Sequence, residues 1–137
     1  MRHSALRVLA LLMLPGLASA ATFLRLAPGA YANATAISAD GTVVVGNSDS
    51  DAFRWSAATG LVNLGAGFTS VATGVSGDGS VIVGTDPTFA DGNHFFRWTG
   101  ATGTQYIARG DATGISADGT TIVGNQFDIA FRWTSAE

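Results

Sequence analysis

Ala34-Thr35-Ala36-Ile37-Ser38-Ala39-Asp40-Gly41 recurs as Ala72-Thr73-Gly74-Val75-Ser76-Gly77-Asp78-Gly79, and again as Ala112-Thr113-Gly114-Ile115-Ser116-Ala117-Asp118-Gly119. Each copy runs into an apolar stretch ending in glycine: Val43-Val44-Val45-Gly46, Val81-Ile82-Val83-Gly84 and Ile122-Val123-Gly124. Each stretch is followed by an aromatic triplet: Phe53-Arg54-Trp55, Phe96-Arg97-Trp98 and Phe131-Arg132-Trp133. The Asp-Gly pairs begin at Asp40, Asp78 and Asp118, a nearly constant spacing. A fixed period of this size marks a repeat architecture, in which one unit buries its apolar face only against a neighbour. Three near-copies argue for a scaffold or binding surface and against a single catalytic pocket.

One repeat reads as four short strands. In the first they fall at Ala34–Ser38, Thr42–Gly46, Ala52–Ser56 and Leu61–Leu64. Asp40-Gly41 between apolar runs predicts a two-residue hairpin with positive φ at both turn residues. The loop before the aromatic triplet is polar and short in the first repeat (Asn47–Ser50) and third (Asn125–Asp128), and distinctly longer in the second. Alternation along a strand places Phe53 and Trp55 on one face and Arg54 on the other. The third repeat ends before a fourth strand. Thr22-Phe23-Leu24-Arg25-Leu26 matches Gly60-Leu61-Val62-Asn63-Leu64 at the spacing of the first two repeats. It is expected to complete the third unit, within one chain or between two.

Met1–Ala20 reads as an export signal. Arg2 and Arg7 precede or flank the apolar Val8–Leu14 stretch, which Pro15-Gly16 breaks before the small residues Ala18-Ser19-Ala20. Cleavage is expected after Ala20, which predicts a secreted, periplasmic or cell-surface protein with no membrane span thereafter. Residues 21–137 form one β-repeat domain, with units at about 22–60, 61–103 and 104–137. From Ala21 onward, five Arg face nine Asp and one Glu, a formal charge of −5 with His neutral. An acidic chain without a basic patch is not a nucleic-acid binder. With no cysteine, disulfides and thiolate metal sites are excluded.

The full repeat string, from the Ala-Thr strand through the Asp-Gly hairpin to Ala-Phe-Arg-Trp, resembles the HAF family of bacterial extracellular repeats. That family is named for a His-Ala-Phe triplet, which falls here on Asp51-Ala52-Phe53, His94-Phe95-Phe96 and Ile129-Ala130-Phe131. The second repeat keeps the His; the first and third keep Ala-Phe. The resemblance covers nearly all of residues 22–134. It implies an exported or surface protein with a variable number of repeats, and it transfers no catalytic residue.

The expected fold is all-β. Four antiparallel strands per unit of about 40 residues is the arithmetic of a propeller blade, so three blade-like units form an incomplete ring or one closed by oligomerisation through the end strands. A three-fold β-trefoil or β-prism is the alternative.

The residues that vary between repeats are the candidates for function. The long second-repeat loop offers Asp86, Asp91, Asn93 and His94 as ligand contacts, because recognition sits on divergent loops held by a constant scaffold. Phe53, Trp55, Phe96, Trp98, Phe131 and Trp133 repeat in every unit and are assigned to the core between units. The three triplet arginines are expected to reach hairpin aspartates or carbonyls. Asn47-x-Asp49-x-Asp51 resembles the first half of a calcium loop, though the Gly and Glu that should follow are missing, and Asp86, Asp91 and Asn93 make a second oxygen-rich segment to consider for Ca²⁺. No catalytic set or cofactor is assigned. The functional expectation is a non-catalytic extracellular module for a protein or glycan; the alternative is a small polysaccharide hydrolase or lyase using acidic loop residues.

Overall fold

The computed structural model describes residues 21–27, 31–49 and 51–135. The expected export signal lies outside them. The described chain is all-β, with eleven strands and no helix. No helix among the described residues is long and apolar enough to cross a membrane.

The first unit is a four-stranded antiparallel meander of β1 (Ala32–Ile37), β2 (Val43–Ser48), β3 (Asp51–Ser56) and β4 (Gly60–Asn63). The second repeats it with β5 (Val71–Val75), β6 (Val81–Asp86), β7 (His94–Thr99) and β8 (Gly103–Arg109). The third has three strands, β9 (Asp111–Ile115), β10 (Thr121–Gln126) and β11 (Ile129–Thr134). The sheets pack in chain order: β5 lies against β1, β2 and β3, and β9 lies against β5, β6 and β7.

Two cores fill the two seams. Val43, Val45, Leu64, Ala72, Ile82 and Phe96 join the first sheet to the second. Val83, Phe95, Ala112 and Ile122 join the second to the third, with Phe131 and Trp133 packed on them. The period-2 alternation of β7 accounts for this division: Phe96 faces back across one seam and Phe95 forward across the other, where its ring stacks on Phe131 at 4.9 Å.

The aromatic core is divided differently from the sequence expectation. Phe53 and Phe96 are fully buried, but Phe131, Trp55, Trp98 and Trp133 are only half-buried. Trp98 and Trp133 pack at the margins of the first and second cores and stay partly exposed there.

The Asp-Gly hairpins also differ from the expected two-residue turns. Only the glycine of each pair has positive φ, at 74° for Gly41, 73° for Gly79 and 74° for Gly119. The aspartate instead acts as a clasp. Asp40 Oδ1 accepts from Ser38 Oγ at 2.6 Å, Thr42 N at 3.0 Å and Thr42 Oγ1 at 2.9 Å. Ser38 Oγ accepts in turn from Val43 N at 3.0 Å. Ser76, Asp78, Ser80 and Val81 repeat the set, as do Ser116, Asp118, Thr120 and Thr121. A carboxylate that accepts from both sides of the turn fixes a longer loop than the dipeptide alone specifies.

The glycine that ends each apolar stretch has a packing cause. β1, β5 and β9 each carry a register shift opposite β2, β6 and β10, which drives a carbonyl close to that position. A Cβ on Gly46 would lie 1.8 Å from Asn33 O, on Gly84 2.2 Å from Val71 O, and on Gly124 1.9 Å from Asp111 O. The triplet phenylalanine ring closes over the same spot, with Phe96 Cζ 2.4 Å from the Gly84 position.

Thr22–Leu26 forms no strand among the described residues, and the outer edge of β11 has no partner there. The fourth strand expected for the third unit is therefore not supplied by the described residues of one chain.

Candidate functional site

The long connection between β6 and β7, Pro87–Asn93, is anchored at both ends. Asp86 terminates β6 and is only 1% exposed. Its Oδ1 accepts from Thr88 N at 2.8 Å and Thr88 Oγ1 at 2.6 Å, and its Oδ2 lies 2.7 Å from the Tyr106 hydroxyl. Burial pushes the Asp86 carboxyl up, but the hydrogen bonds from Thr88 and Tyr106 and the nearby His94 outweigh it and hold the group below the ordinary carboxylate value. The Tyr106 hydroxyl is correspondingly pushed up, by burial first and then by its bond to Asp86. Phe89 covers this network, with its ring 4.2 Å from His94 and 4.8 Å edge-on from Tyr106. Asp86 is thus a loop anchor and not an exposed contact, which corrects its assignment as a ligand residue. Its place beside the loop is plain in the sequence. The Tyr106 partner, however, stands two strands further on in β8, and only the β7–β8 pairing brings it back.

The other three candidates lie beside a cleft they only partly build. Asp91 is exposed and faces Arg109, Nε to Oδ2 3.6 Å, and His94, Nδ1 to Oδ1 3.7 Å. Asn93 Nδ2 donates to Asp111 Oδ1 at 2.7 Å. His94 is half-buried and its Nδ1 lies 3.1 Å from Gly92 O. The cleft, of about 180 Å³, opens between this loop and the β10–β11 turn and is lined by Asn93, Arg109, Asp111, Asn125, Gln126 and Phe127. Drug-sized pockets span about 300–1,000 Å³, so this one suits a single small ring or a short polar side chain.

Its most unusual residue is Phe127. Phe127 and Asp128 form the two-residue turn between β10 and β11, at φ 48° and 63°. Positive φ at both positions is the geometry expected of the Asp-Gly pairs, found here at a dipeptide without glycine. An L-residue in this region is disfavoured, and a bulky aromatic especially so. The ring is nonetheless 69% exposed, with the Arg109 guanidinium 4.7 Å from its centroid. Strained backbone that displays an exposed side chain at a cleft is a feature of functional sites. Arg109, Asp111, Asn125, Gln126 and Phe127 were not singled out in the sequence. One signal was present: the third repeat has an aromatic where the first has Asp49-Ser50.

The remaining expectations resolve structurally. Asp51 holds the chain leaving β4: its Oδ1 accepts from Ala66 N at 3.2 Å and Ser70 Oγ at 3.0 Å. Among the described residues no group of three His, Cys, Asp or Glu is placed to hold a metal ion. The triplet arginines do not reach the hairpin aspartates, whose acceptors serve Ser and Thr. Arg54 Nη1 donates to Ser56 Oγ at 3.4 Å, and Arg97 Nε is buried without a partner among the described residues.

No family model, curated protein or solved structure matches the chain.

Proposed function

We propose that the protein is an exported, non-catalytic interaction module of HAF type, built of blade-like units, which binds a glycan at the cleft between the β6–β7 loop and the Phe127 turn. The carrying observation is Phe127, held exposed in a left-handed turn beside Arg109 and a ring of amide and carboxylate groups. An aromatic face next to planar polar side chains is the chemistry that recognises a sugar: apolar C–H groups stack on the ring and hydroxyls pair with Asn, Gln, Asp and Arg. The meander order within each sheet and the serial stacking of sheets support blades over a trefoil, whose strands are shared in a common barrel.

Binding is favoured over hydrolysis by the state of the carboxylates. A glycosidase needs one carboxyl held protonated and a second free across a gap of about 5–10 Å. Asp91 is engaged by Arg109, and Asp111 by Asn93. The aspartates whose acidity departs from the ordinary, Asp40, Asp78, Asp86 and Asp118, are all held lower, not higher. Screening the purified protein against a glycan array, followed by calorimetry on hits, tests the reading. Wild type is expected to bind and Phe127→Ala to lose most of the affinity. Binding unaffected by Phe127→Ala, or turnover of a bound oligosaccharide, would remove it.

A further inference from the structure

We propose that two copies of this chain join head to tail. Thr22–Leu26 of each supplies the fourth strand to the third sheet of the other, and the outer face of each third sheet packs on the first sheet of its partner.

The two ends of the molecule carry the two halves of an interface that occurs twice inside it. At the first internal seam, Ala39 N–H donates to Gly77 O at 3.0 Å. At the second, Gly77 N–H donates to Ala117 O at 2.8 Å. Thr35 Oγ1 donates across the first seam to Ala72 O at 2.5 Å, and Thr73 Oγ1 across the second to Ala112 O at 2.7 Å. The third members of both series point at nothing beyond their own sheet among the described residues: Thr113 Oγ1 keeps only a 3.4 Å contact to Val123 O. Continuing each series by one step assigns Ala117 N–H to Ala39 O, and Thr113 Oγ1 to Ala34 O, of a second copy.

Burial follows the same series. Val45 and Val83 are 0% exposed in the forward faces of the first two sheets, whereas Val123 in the third is 43% exposed. On the backward faces, Ala72 and Ala112 are buried in the second and third sheets, whereas Ala34 in the first is exposed. One apolar face is thus left open at each end, and each has the residue types that the other's internal equivalents pack against.

The N-terminal segment lies where strand exchange requires it. After β4, Leu64 and Ala66 pack into the core beside Phe96 of the following sheet. Leu26, which matches Leu64 in the repeat, lines a cavity of about 400 Å³ with Phe53 of the first sheet. Residues 22–26 therefore precede the first sheet as β4 precedes the second, in the position of a fourth strand for a sheet that the single chain does not place there. Phe23 and Leu24 are left exposed. The described residues form three blade-like units, fewer than the about four to eight that close a propeller, whereas two copies of them give six and cover both open edges. Closure would also present two copies of the cleft on one rigid body, which raises avidity for a repeating polymer.

The test is a disulfide across the exchanged strands, in a chain that has no cysteine. β3 and β4 pair Arg54 with Val62, and β7 and β8 pair Arg97 with Gln105. The same register sets Arg132 of one copy opposite Leu24 of the other. Opposed residues have Cβ atoms about 4.5–5.5 Å apart, within reach of a disulfide after small adjustment. Both positions are exposed, so the variants should fold, which circular dichroism of each single variant checks. Leu24→Cys with Arg132→Cys is expected to give, on oxidation, a covalent species of twice the chain mass. Phe23→Cys with Arg132→Cys points the two thiols to opposite faces and is expected to give little. Sedimentation of the unmodified protein is expected to return the mass of two chains. A single-chain mass, a disulfide within one chain, or equal cross-linking in both registers would overturn the proposal. Closure at two rests on the blade-like reading. Cross-linking in the Leu24–Arg132 register at masses above two chains would remove that reading and the ring together, whereas absence of any cross-link removes strand exchange itself.

Discussion

The Tyr106 hydroxyl lies 2.7 Å from the buried Asp86 carboxylate and 2.6 Å from Ala66 O, so one phenol ties the end of β6 to the connection leaving the first sheet. It has a single proton to share between two acceptors, and Asp86 carries a charge in a nearly closed site. Tyr106→Phe removes a donor from that charge and keeps the ring contact with Phe89. A hydrogen bond to a charged group contributes about 1.5–3 kcal/mol, and the variant is expected to lose that much in urea unfolding. A loss below about 0.5 kcal/mol would show that water replaces the phenol freely.

Stability should fall in acid, with the sign set by the clasps. Asp40, Asp78 and Asp118 are held below the ordinary carboxylate value of 3.8, Asp78 down to about 2. For Asp40 and Asp118 the leading cause is the seryl hydroxyl just before the turn; for Asp78 it is the Ser80 amide. A carboxyl lowered on folding contributes stability that is complete above its unfolded value and disappears as pH falls through the folded value. The unfolding midpoint is therefore expected to be flat above about pH 4 to 5 and to decline toward pH 2. Asp78→Asn should flatten part of that decline. A midpoint independent of pH across this acid range would contradict the clasp geometry.

Two glycine substitutions separate packing from composition. Gly84→Ala would put a methyl 2.2 Å from Val71 O and 2.4 Å from Phe96 Cζ, where a backbone carbonyl and a buried ring cannot both give way. The expected cost is about 3 kcal/mol or more, at the upper end of overpacking effects. Gly100 has open space where a Cβ would stand and no positive φ. Gly100→Ala is expected to be neutral or stabilising by up to about 1 kcal/mol, through loss of freedom in the unfolded chain. Thermal melts of the two variants side by side check both.

The repeat carried most of the fold in plain view. Strand types, their order and the positions of hairpins follow from Asp-Gly, from the valine runs and from Phe-Arg-Trp, because local alternation and turn chemistry dominate short antiparallel meanders. What stayed hidden depended on long-range partners. Asp86 read as a loop residue because nothing near it in sequence shows Tyr106 or the burial. Trp98 read as core because it shares a strand face with Phe96, and it does pack on the same core, but only as a partly buried residue at its margin. The cleft was half legible: Asp91, Asn93 and His94 border it, but Arg109 and Phe127 reach it from a different strand and a different sheet.

Phe127 should reveal a conflict between stability and binding. Its backbone is held at φ 48°, a region that costs an ordinary L-residue about 1–2 kcal/mol. The stacked Arg109 returns about 0.5–1 kcal/mol of this at an exposed site. The double change Phe127→Asn with Asp128→Gly installs the dipeptide that a two-residue hairpin turn prefers. It is therefore expected to raise the unfolding free energy by up to about 1.5 kcal/mol, the strain relieved less the stacking lost. The same variant removes the exposed ring from the cleft and should abolish glycan binding. Phe127→Ala retains the strained φ while losing the stacking, so it should be less stable than wild type and equally unable to bind. Calorimetric melts and titrations of the three proteins distinguish the cases. If the double variant is destabilised, the turn is not strained by Phe127. If it binds as wild type does, the ring is not the recognition surface.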